Sequence, residues 1–384
     1  MKAVIHYSEI GLKGQNRDFF EEKLVENIRA SLKRAGIRAR TDREHGRIIC
    51  EFGARDGKNV SEALSKIFGI KYFALAREAK LSENDILQEV ESLLKDLKKN
   101  GIKSIASVAK RSDKNFPLNS NELNRKIGDV AVKLGFKIDL DNPDAQILAE
   151  ITSKSAYLYT EKISGIGGLP VGSSAGTLCL FSGGIDSAVA AFLLMKRGSK
   201  VDFIHFHALR DGKEVLSSKI KKLVEKLNEY QFSSRLYILP YHTFQFEVGR
   251  NVDERIELVL FRNFMLRVAQ ELALQKGHAA LITGDSLGQV ASQTGENLAA
   301  SNFHVTCPIF RPLISFDKDE IVALARKIGT FDLSVQKYKD CCSIISKNPA
   351  TAVKMEKFKH EISKIDLDDL IRRTLSQMEE FKIS

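Results

Sequence analysis

The stretch Thr177-Leu178-Cys179-Leu180-Phe181-Ser182-Gly183-Gly184-Ile185-Asp186-Ser187 decides how the chain is read. An apolar run over residues 177–181 passes through a Gly-rich turn into a helix-patterned stretch that begins at Ala188. A turn of this kind leaves a buried strand and opens a helix. It points several backbone N–H groups outward beside the positive end of the helix dipole, which suits a phosphate. The ligand this predicts is a nucleotide, with Ser182, Gly183, Gly184, Asp186 and Ser187 around its phosphates. The alternative is an ordinary strand-to-helix turn with Ser and Asp as caps. Capping, however, needs neither the Gly pair nor a second Ser.

Commoner phosphate loops are excluded by spacing, because a Walker A loop needs G-x-x-x-x-G-K-[ST] and a dinucleotide fold needs G-x-G-x-x-G. Gly165-Ile166-Gly167 comes nearest to the second and puts Pro170 where the third Gly should be. Downstream of the breaker-rich segment 165–172, strand patterns at 177–181, 201–206, 235–239 and 279–283 alternate with helical patterns near 187–197, 213–228, 252–276 and 317–328. That alternation predicts a doubly wound parallel sheet whose ligand sits beyond the carboxyl ends of the strands. Upstream, strand patterns at 3–7, 47–52, 72–77, 104–110, 147–152 and 156–160 are interleaved with helical ones near 17–34, 58–67, 82–99 and 120–134. They predict two small α+β units, ending in a hairpin across Ser153-Lys154-Ser155.

With 384 residues, 43% of them apolar and 28% charged, the chain has room for two or three domains of ordinary globular composition. Its apolar runs stop well short of the ~20 residues of a membrane span, so a cytoplasmic protein without membrane contact is expected. Five cysteines, an odd number without framework spacing, argue for a reducing compartment. A formal net charge of +10, spread over both halves, fits a polyanionic partner. Charge alone also fits a merely solubilising surface.

Taken together, the turn Ser182–Ser187 resembles the S-G-G-x-D-S loop of the ATP pyrophosphatases, and further blocks extend the resemblance to the whole chain. Tyr7 to Gly14 with Asn16-Arg17, Lys110-Arg111 with Lys114-x-Phe116-Pro117, and Gly167 to Gly172 are similar to segments of the tRNA 4-thiouridine synthetases. So are Thr283 to Thr294, Arg311-Pro312-Leu313-Ile314 and Cys342 to Pro349. The resemblance implies an α+β N-terminal half, a ferredoxin-like domain plus a THUMP domain. An α/β doubly wound ATP-pyrophosphatase (PP-loop) domain would follow. On this chain the expected domains are 1–57, 58–164, a linker at 165–175, and 176–384. It implies ATP-dependent adenylation of O4 of uridine 8 in tRNA, followed by replacement with sulfur. Another PP-loop nucleoside-modifying enzyme and a non-catalytic RNA-binding protein are the alternatives. The second would expect decay at Asp186, Lys318 and Cys342, and all three are intact.

Residue by residue, the resemblance puts ATP against Leu180, Phe181, His205, Phe206, Arg262, Gly284 and Gln293, besides the turn itself. A Gly at 284 lets backbone approach the nucleotide, and Arg262 can fork onto a phosphate. The rival readings are a buried strand end for His205 and Phe206, and an ion pair with Glu257 or Glu254 for Arg262. Asp186 either holds Mg²⁺ against the polyphosphate or only caps the helix. Lys318 matches the second catalytic cation of the family, against a solvated residue in a first helical turn.

For the sulfur step a thiolate or a persulfide is needed. The family's reactive cysteine matches Cys342 best, with Cys341 beside it; an inert buried pair is the competitor. An iron–sulfur cluster on Cys307, Cys341 and Cys342 is not expected, since no C-x-x-C is present. Cys50 and Cys179 read as core residues. After Pro349 only a helical pattern over 351–382 remains, with no room for the rhodanese-like domain of longer family members. Sulfur is therefore expected from a separate cysteine desulfurase, as persulfide, or from sulfide, and the departure weakens any link to thiamine thiazole synthesis. RNA contact is expected from Lys13, Asn16, Arg17, Lys110, Arg111, Lys114 and Phe116. Phe19 and Phe20 read as core. The resemblance also implies a homodimer.

Overall fold

The computed structural model describes every residue except His45, Arg250, Lys339, Asp340, Cys342, Ser343, Ile344, Ser346, Lys347 and Asn348. The chain divides into two compact units, Met1–Leu169 and Pro170–Ser384.

Among the described residues of the first unit, nine strands form one sheet. They are β1 (Lys2–Tyr7), β2 (Ala39–Glu44), β3 (Arg47–Phe52), β4 (Ile70–Ala79), β5 (Ser104–Arg111), β6 (Lys137–Ile138), β7 (Ala145–Ile151), β8 (Ala156–Tyr159) and β9 (Ile163–Ser164). The order is β2-β3-β1-β4-β8-β7-β5-β6, with β9 added to β4. The two expected α+β units therefore share a sheet: β4 pairs with β1 through Lys2↔Ala76 to Tyr7↔Ile70 and, at its other end, with β8 through Arg77↔Leu158 to Ala79↔Ala156. Ten residues make β4 long enough to serve both.

Helix Arg17–Arg34 and helix Gly57–Leu64 bury Leu24, Ile28, Val60 and Leu64 in one core with Ala3, Ile5, Ile48, Ile70 and Phe73. Packing is thus continuous across the boundary expected at 57/58. Helices Glu83–Lys99 and Ser120–Lys133 close a second core with Ile105, Ile147, Ala149 and Phe116. Ser82 and Asn119 cap them, the latter in a reciprocal capping box with Glu122. The hairpin β7–β8 turns on Thr152, whose hydroxyl oxygen accepts from the backbone N–H groups of Lys154 and Ser155 at 3.2 and 3.1 Å.

One buried carboxylate ties the strands of the first unit together. Glu150 of β7 meets His6 of β1 (3.0 Å), Arg47 of β3 (3.0 Å) and the Tyr159 hydroxyl of β8. Burial works against its ionisation, yet these partners hold the carboxyl at about 2.

The second unit is a six-stranded sheet of β10 (Thr177–Leu180), β11 (Val201–His207), β12 (Ser234–Pro240), β13 (Ala280–Ile282), β14 (Ile309–Phe310) and β15 (Glu379–Ile383), in the order β14-β13-β10-β11-β12-β15. Every pairing is parallel except β12–β15. β10 lies between β11, its successor in the chain, and β13. That is the point where the strand order reverses and where such sheets bind ligands. Helix Glu254–Lys276 packs Val259, Phe261, Phe264 and Val268 beneath this point, in a core with Leu178, Ile204, Phe206 and Leu281. The helix expected near 213–228 is two helices, Gly212–Ser217 and Lys219–Gln231, because Ser218 turns extended and caps the second. The expected helical tail is corrected at its end: Glu379–Ile383 adds to the sheet edge, where Asn228 donates to the Ile383 carbonyl at 2.9 Å. Among the described residues, no helix is long and apolar enough to cross a membrane.

Candidate functional site

The turn after β10 is not the side-chain-capped helix start of the alternative reading. Gly184 is the N-cap of helix Ile185–Lys196, and no side chain caps that helix. Its first N–H groups therefore have no capping side chain, the arrangement in which a helix start can accept an anion. Ser182 Oγ accepts from Gly184 N–H at 3.2 Å and lies 3.3 Å from Ser187 Oγ, so the hydroxyls shape the turn from within. Gly183 has φ +76°, which L side chains rarely adopt, and a Cβ there would stand 2.3 Å from Ile220 Cδ1, so a substitution is strained even if the Ile220 side chain moves aside.

Asp186 leaves the first helical turn toward the solvent mouth of a cavity that Leu180, Phe181, Ser182, Phe206, Gly284 and Cys341 help to line. Lys318, from the first turn of helix Lys318–Lys327, donates to Asp186 Oδ1 at 2.6 Å, and Gln289 Nε2 donates to Oδ2 at 3.0 Å. The capping box of Asp317 and Glu320 fixes the start of the helix that delivers Lys318. Lys318 is thus neither a stray solvated residue nor distant from the turn, and Asp186 does not act as a cap.

Gly284, two residues beyond β13, lines the same cavity and also packs against the turn. A Cβ at this position would lie 2.8 Å from both Asp186 C and Ser187 N. The close approach that demands glycine is therefore to the backbone of the turn itself.

Arg262 pairs neither with Glu254 nor with Glu257. From the helix Glu254–Lys276 it reaches Asp285, which also accepts from Arg311 Nε at 3.0 Å, from Thr283 Oγ1 at 2.7 Å and from Gln293 Nε2 at 3.5 Å. Asp285 is 2% exposed. Burial alone would raise its pKa, but Arg262, Thr283 and Arg311 outweigh burial and hold it below the ordinary carboxylate value. Asp285, Arg311 and Gln289 were missed as site residues. Their signal was present in the Asp after Gly284, since a buried carboxylate in a motif facing two arginines calls for pairing.

His205 is brought close to the turn without lining the cavity. Its ring is buried; Nδ1 lies 2.7 Å from the Phe181 carbonyl oxygen and Nε2 lies 2.7 Å from the Tyr338 hydroxyl. Burial drives its pKa down to about 4, with His207 and Lys219 adding to the effect against the Phe181 carbonyl. Phe206, by contrast, lines the cavity and packs edge-on against Phe261. Cys341 also lines it, 1% exposed, its thiol donating to the Phe206 carbonyl at 3.3 Å. Cys342 lies outside the described residues. Cys50 and Cys179 are buried thiols in strands, and burial pushes Cys50 up to about 11. Among the described residues, no group of three or more His, Cys, Asp or Glu could hold a metal ion.

The residues expected to meet RNA separate into two sets. Lys110 and Lys114 are exposed, as is Asn16, and Lys13 lies 4.9 Å over the Phe20 ring. Arg17 is occupied by Glu21 (2.8 Å) and the Tyr7 hydroxyl, and Arg111 donates to the Phe116 and Leu118 carbonyls at 2.9 and 3.0 Å. Phe116 is corrected: at 6% exposure it is part of the second core and cannot stack on a base. Phe19, read as core, is 49% exposed instead.

Comparison with known proteins agrees with this architecture. The model of the thiamine biosynthesis protein (ThiI) family matches residues 172–367, that of the ThiI ferredoxin-like domain residues 2–74, and that of the THUMP domain residues 80–161. A probable tRNA sulfurtransferase of Caldanaerobacter subterraneus is 40% identical over 96% of both chains. A protein of that name from Listeria welshimeri is 34% identical over 100% of this chain and 95% of its own. Among solved structures, a 4-thiouridine synthetase in complex with RNA, with bound ATP, superposes with a TM-score of 0.90 at 30% identity, over 100% of this chain and 99% of that one. A protein of Pyrococcus horikoshii superposes at 0.68 with 27% identity, over 85% of this chain and 99% of its own. With a family model across half its length and relatives that match it nearly end to end, the chain belongs to the ThiI family of tRNA sulfurtransferases.

Proposed function

We propose that this chain is a tRNA 4-thiouridine synthetase: it uses ATP to adenylate O4 of uridine 8 in tRNA and then replaces that oxygen with sulfur, releasing pyrophosphate and AMP. The observation that carries this reading is the meeting of Asp186 and Lys318, at 2.6 Å, on the rim of the uncapped helix start after β10. A triphosphate whose tail lies on the Ser182–Ser187 turn puts its α-phosphorus at that rim.

The first step is attack of uridine O4 on the α-phosphorus with pyrophosphate as leaving group. Negative charge grows on the leaving group, where the helix N–H groups and the Lys318 ammonium stabilise it. A bound Mg²⁺ would neutralise polyphosphate charge. Asp186 is the hard oxygen ligand that fits it, since Mg²⁺ is commonly held by one or two carboxylates plus substrate phosphates. Leu180, Phe181 and Phe206 give the adenine an apolar wall, with Arg262 and Gln293 held beside it by Asp285. In the second step a sulfur nucleophile attacks C4 and AMP departs. Sulfide would attack C4 directly; with a cysteine desulfurase as source, Cys342 is assigned as carrier of the persulfide, whose outer sulfur attacks C4, and a second thiol, with Cys341 adjacent in the chain, then cleaves the S–S bond, releasing 4-thiouridine and leaving a disulfide for an external thiol to reduce. Lys13, Asn16, Lys110 and Lys114 contact the tRNA backbone, and a homodimer would let two copies share one tRNA.

The test is to incubate the protein with unmodified tRNA, ATP, Mg²⁺ and either sulfide or a desulfurase with cysteine. 4-Thiouridine is followed by its near-ultraviolet absorbance and AMP by chromatography. Formation of neither product with any tRNA would overturn the assignment.

A further inference from the structure

Beyond the short helix Phe331–Ser334, the described residues up to Tyr338, and Cys341, are fastened beside the nucleotide turn at three points. The Lys219 ammonium donates to the Ser334 and Gln336 carbonyls at 2.6 and 3.0 Å and sits 5.9 Å from the Tyr338 ring centroid. The Tyr338 hydroxyl meets His205 Nε2 at 2.7 Å, and the Cys341 thiol donates to the Phe206 carbonyl at 3.3 Å.

Each anchor adjoins the turn. Lys219 opens the helix that packs on Gly183, its Cε lying 3.5 Å from where a Cβ of residue 183 would stand. His205 touches the carbonyl of Phe181, the residue before Ser182. A carbonyl oxygen only accepts, so the proton of the neutral ring sits on Nδ1, Nε2 is the acceptor, and the Tyr338 hydroxyl must donate. The result is a directional chain from Tyr338 through His205 to the backbone that enters the turn. Asp186, which accepts from Lys318 and from Gln289, serves the adenylation step with Lys318 and takes no part in this chain.

We propose that Tyr338 is a positioning residue: through His205 and beside Lys219 it holds the segment ending at Cys341 against the nucleotide cavity, so that sulfur transfer, and not adenylation, depends on its hydroxyl. This rests on the two-step reading above. Removing the hydroxyl leaves His205 Nε2 buried without its donor, which releases the segment while the turn stays seated on Phe181 and its own hydroxyls.

The experiment compares the parent chain with Tyr338→Phe in a single turnover, with enzyme in excess over tRNA, measuring pyrophosphate, which adenylation releases, and 4-thiouridine, with sulfide-supplied or desulfurase-supplied sulfur. The variant is expected to release pyrophosphate within about twofold of the parent rate while 4-thiouridine formation slows about tenfold, the effect of one buried hydrogen bond. Alkylation of Cys341 by iodoacetamide, resolved by mass spectrometry, is expected to speed up by a similar factor in the variant without any substrate. Equal loss of both products, or unchanged 4-thiouridine with unchanged alkylation, overturns the proposal. Should Tyr338→Phe fail to fold, Lys219→Met releases the same segment and is read by the same ratio. A parent that makes neither product sinks the two-step reading instead, and the alkylation contrast still decides whether Tyr338 holds the segment.

Discussion

Lys318 Nζ donates to Asp186 Oδ1 at 2.6 Å across 132 residues of chain, joining the helix start after β10 to the first turn of a helix near the far end of the unit. The two side chains are 47% and 24% exposed, so the pair contributes only about 0–1 kcal/mol to stability. Its value is positional. Asp186→Ala is expected to lower AMP formation by about two to three powers of ten, the scale of lost transition-state charge stabilisation, while the melting temperature stays close to that of the parent. Lys318→Met should do the same with ATP still bound. Either variant retaining AMP formation would remove these residues from the reaction.

Gly284→Ala tests the close approach of residue 284 to the turn. The added Cβ would stand 2.8 Å from backbone atoms of Asp186 and Ser187, which cannot move aside as a flexible side chain does. The clash should cost about 1–3 kcal/mol and shift the turn, so ATP affinity measured by calorimetry should fall along with stability. Lost affinity at unchanged stability would mean that the glycine is needed for the nucleotide alone.

The turn itself was legible in the sequence because its signals are local: a Gly pair, flanking serines and an apolar run fall within eleven residues. The helices were legible for the same reason, Arg17–Arg34 and Lys318–Lys327 among them. What was not legible depends on partners far along the chain. β2, reading Ala-Arg-Thr-Asp-Arg-Glu, has no apolar alternation because it is an edge strand that pairs only with β3. β15 becomes a strand only because the exposed edge of β12 lies beside it. The Asp285 cluster joins residues 262, 285, 293 and 311, which no local window contains. Phe116 stands next to basic residues in sequence and yet points into the core, since Arg111 folds the loop back through its carbonyl.

His205 predicts a pH dependence. Its folded pKa, about 4, is below the ordinary 6.5, so the fold favours the neutral ring. The unfolded chain binds the extra proton first. The stabilisation is therefore complete above about pH 6.5 and is lost as pH falls toward 4, to the extent of about 3 kcal/mol for a shift of this size. Urea unfolding of His205→Asn should show a flatter pH dependence across that window. A parallel dependence in both proteins would assign the acid sensitivity to other groups, with His207, which burial also lowers, as the first candidate.

Two kinds of basic residue in the first unit should separate in binding experiments. Lys110 and Lys114 are exposed, so each that contacts a phosphate adds about 0.7–0.9 to the slope of log affinity against log salt. Replacing both with alanine should weaken tRNA binding and flatten that slope at unchanged stability. Arg111→Ala removes the donor that holds the Phe116 and Leu118 carbonyls and should loosen the loop between them. Phe116→Ala opens the second core at a cost of about 3–5 kcal/mol. Filter binding over a salt series, with melting temperatures measured alongside, distinguishes the two sets. If Phe116→Ala lost tRNA affinity while melting like the parent, the ring would have to leave the core to meet RNA, and the burial of its side chain would describe only the free protein.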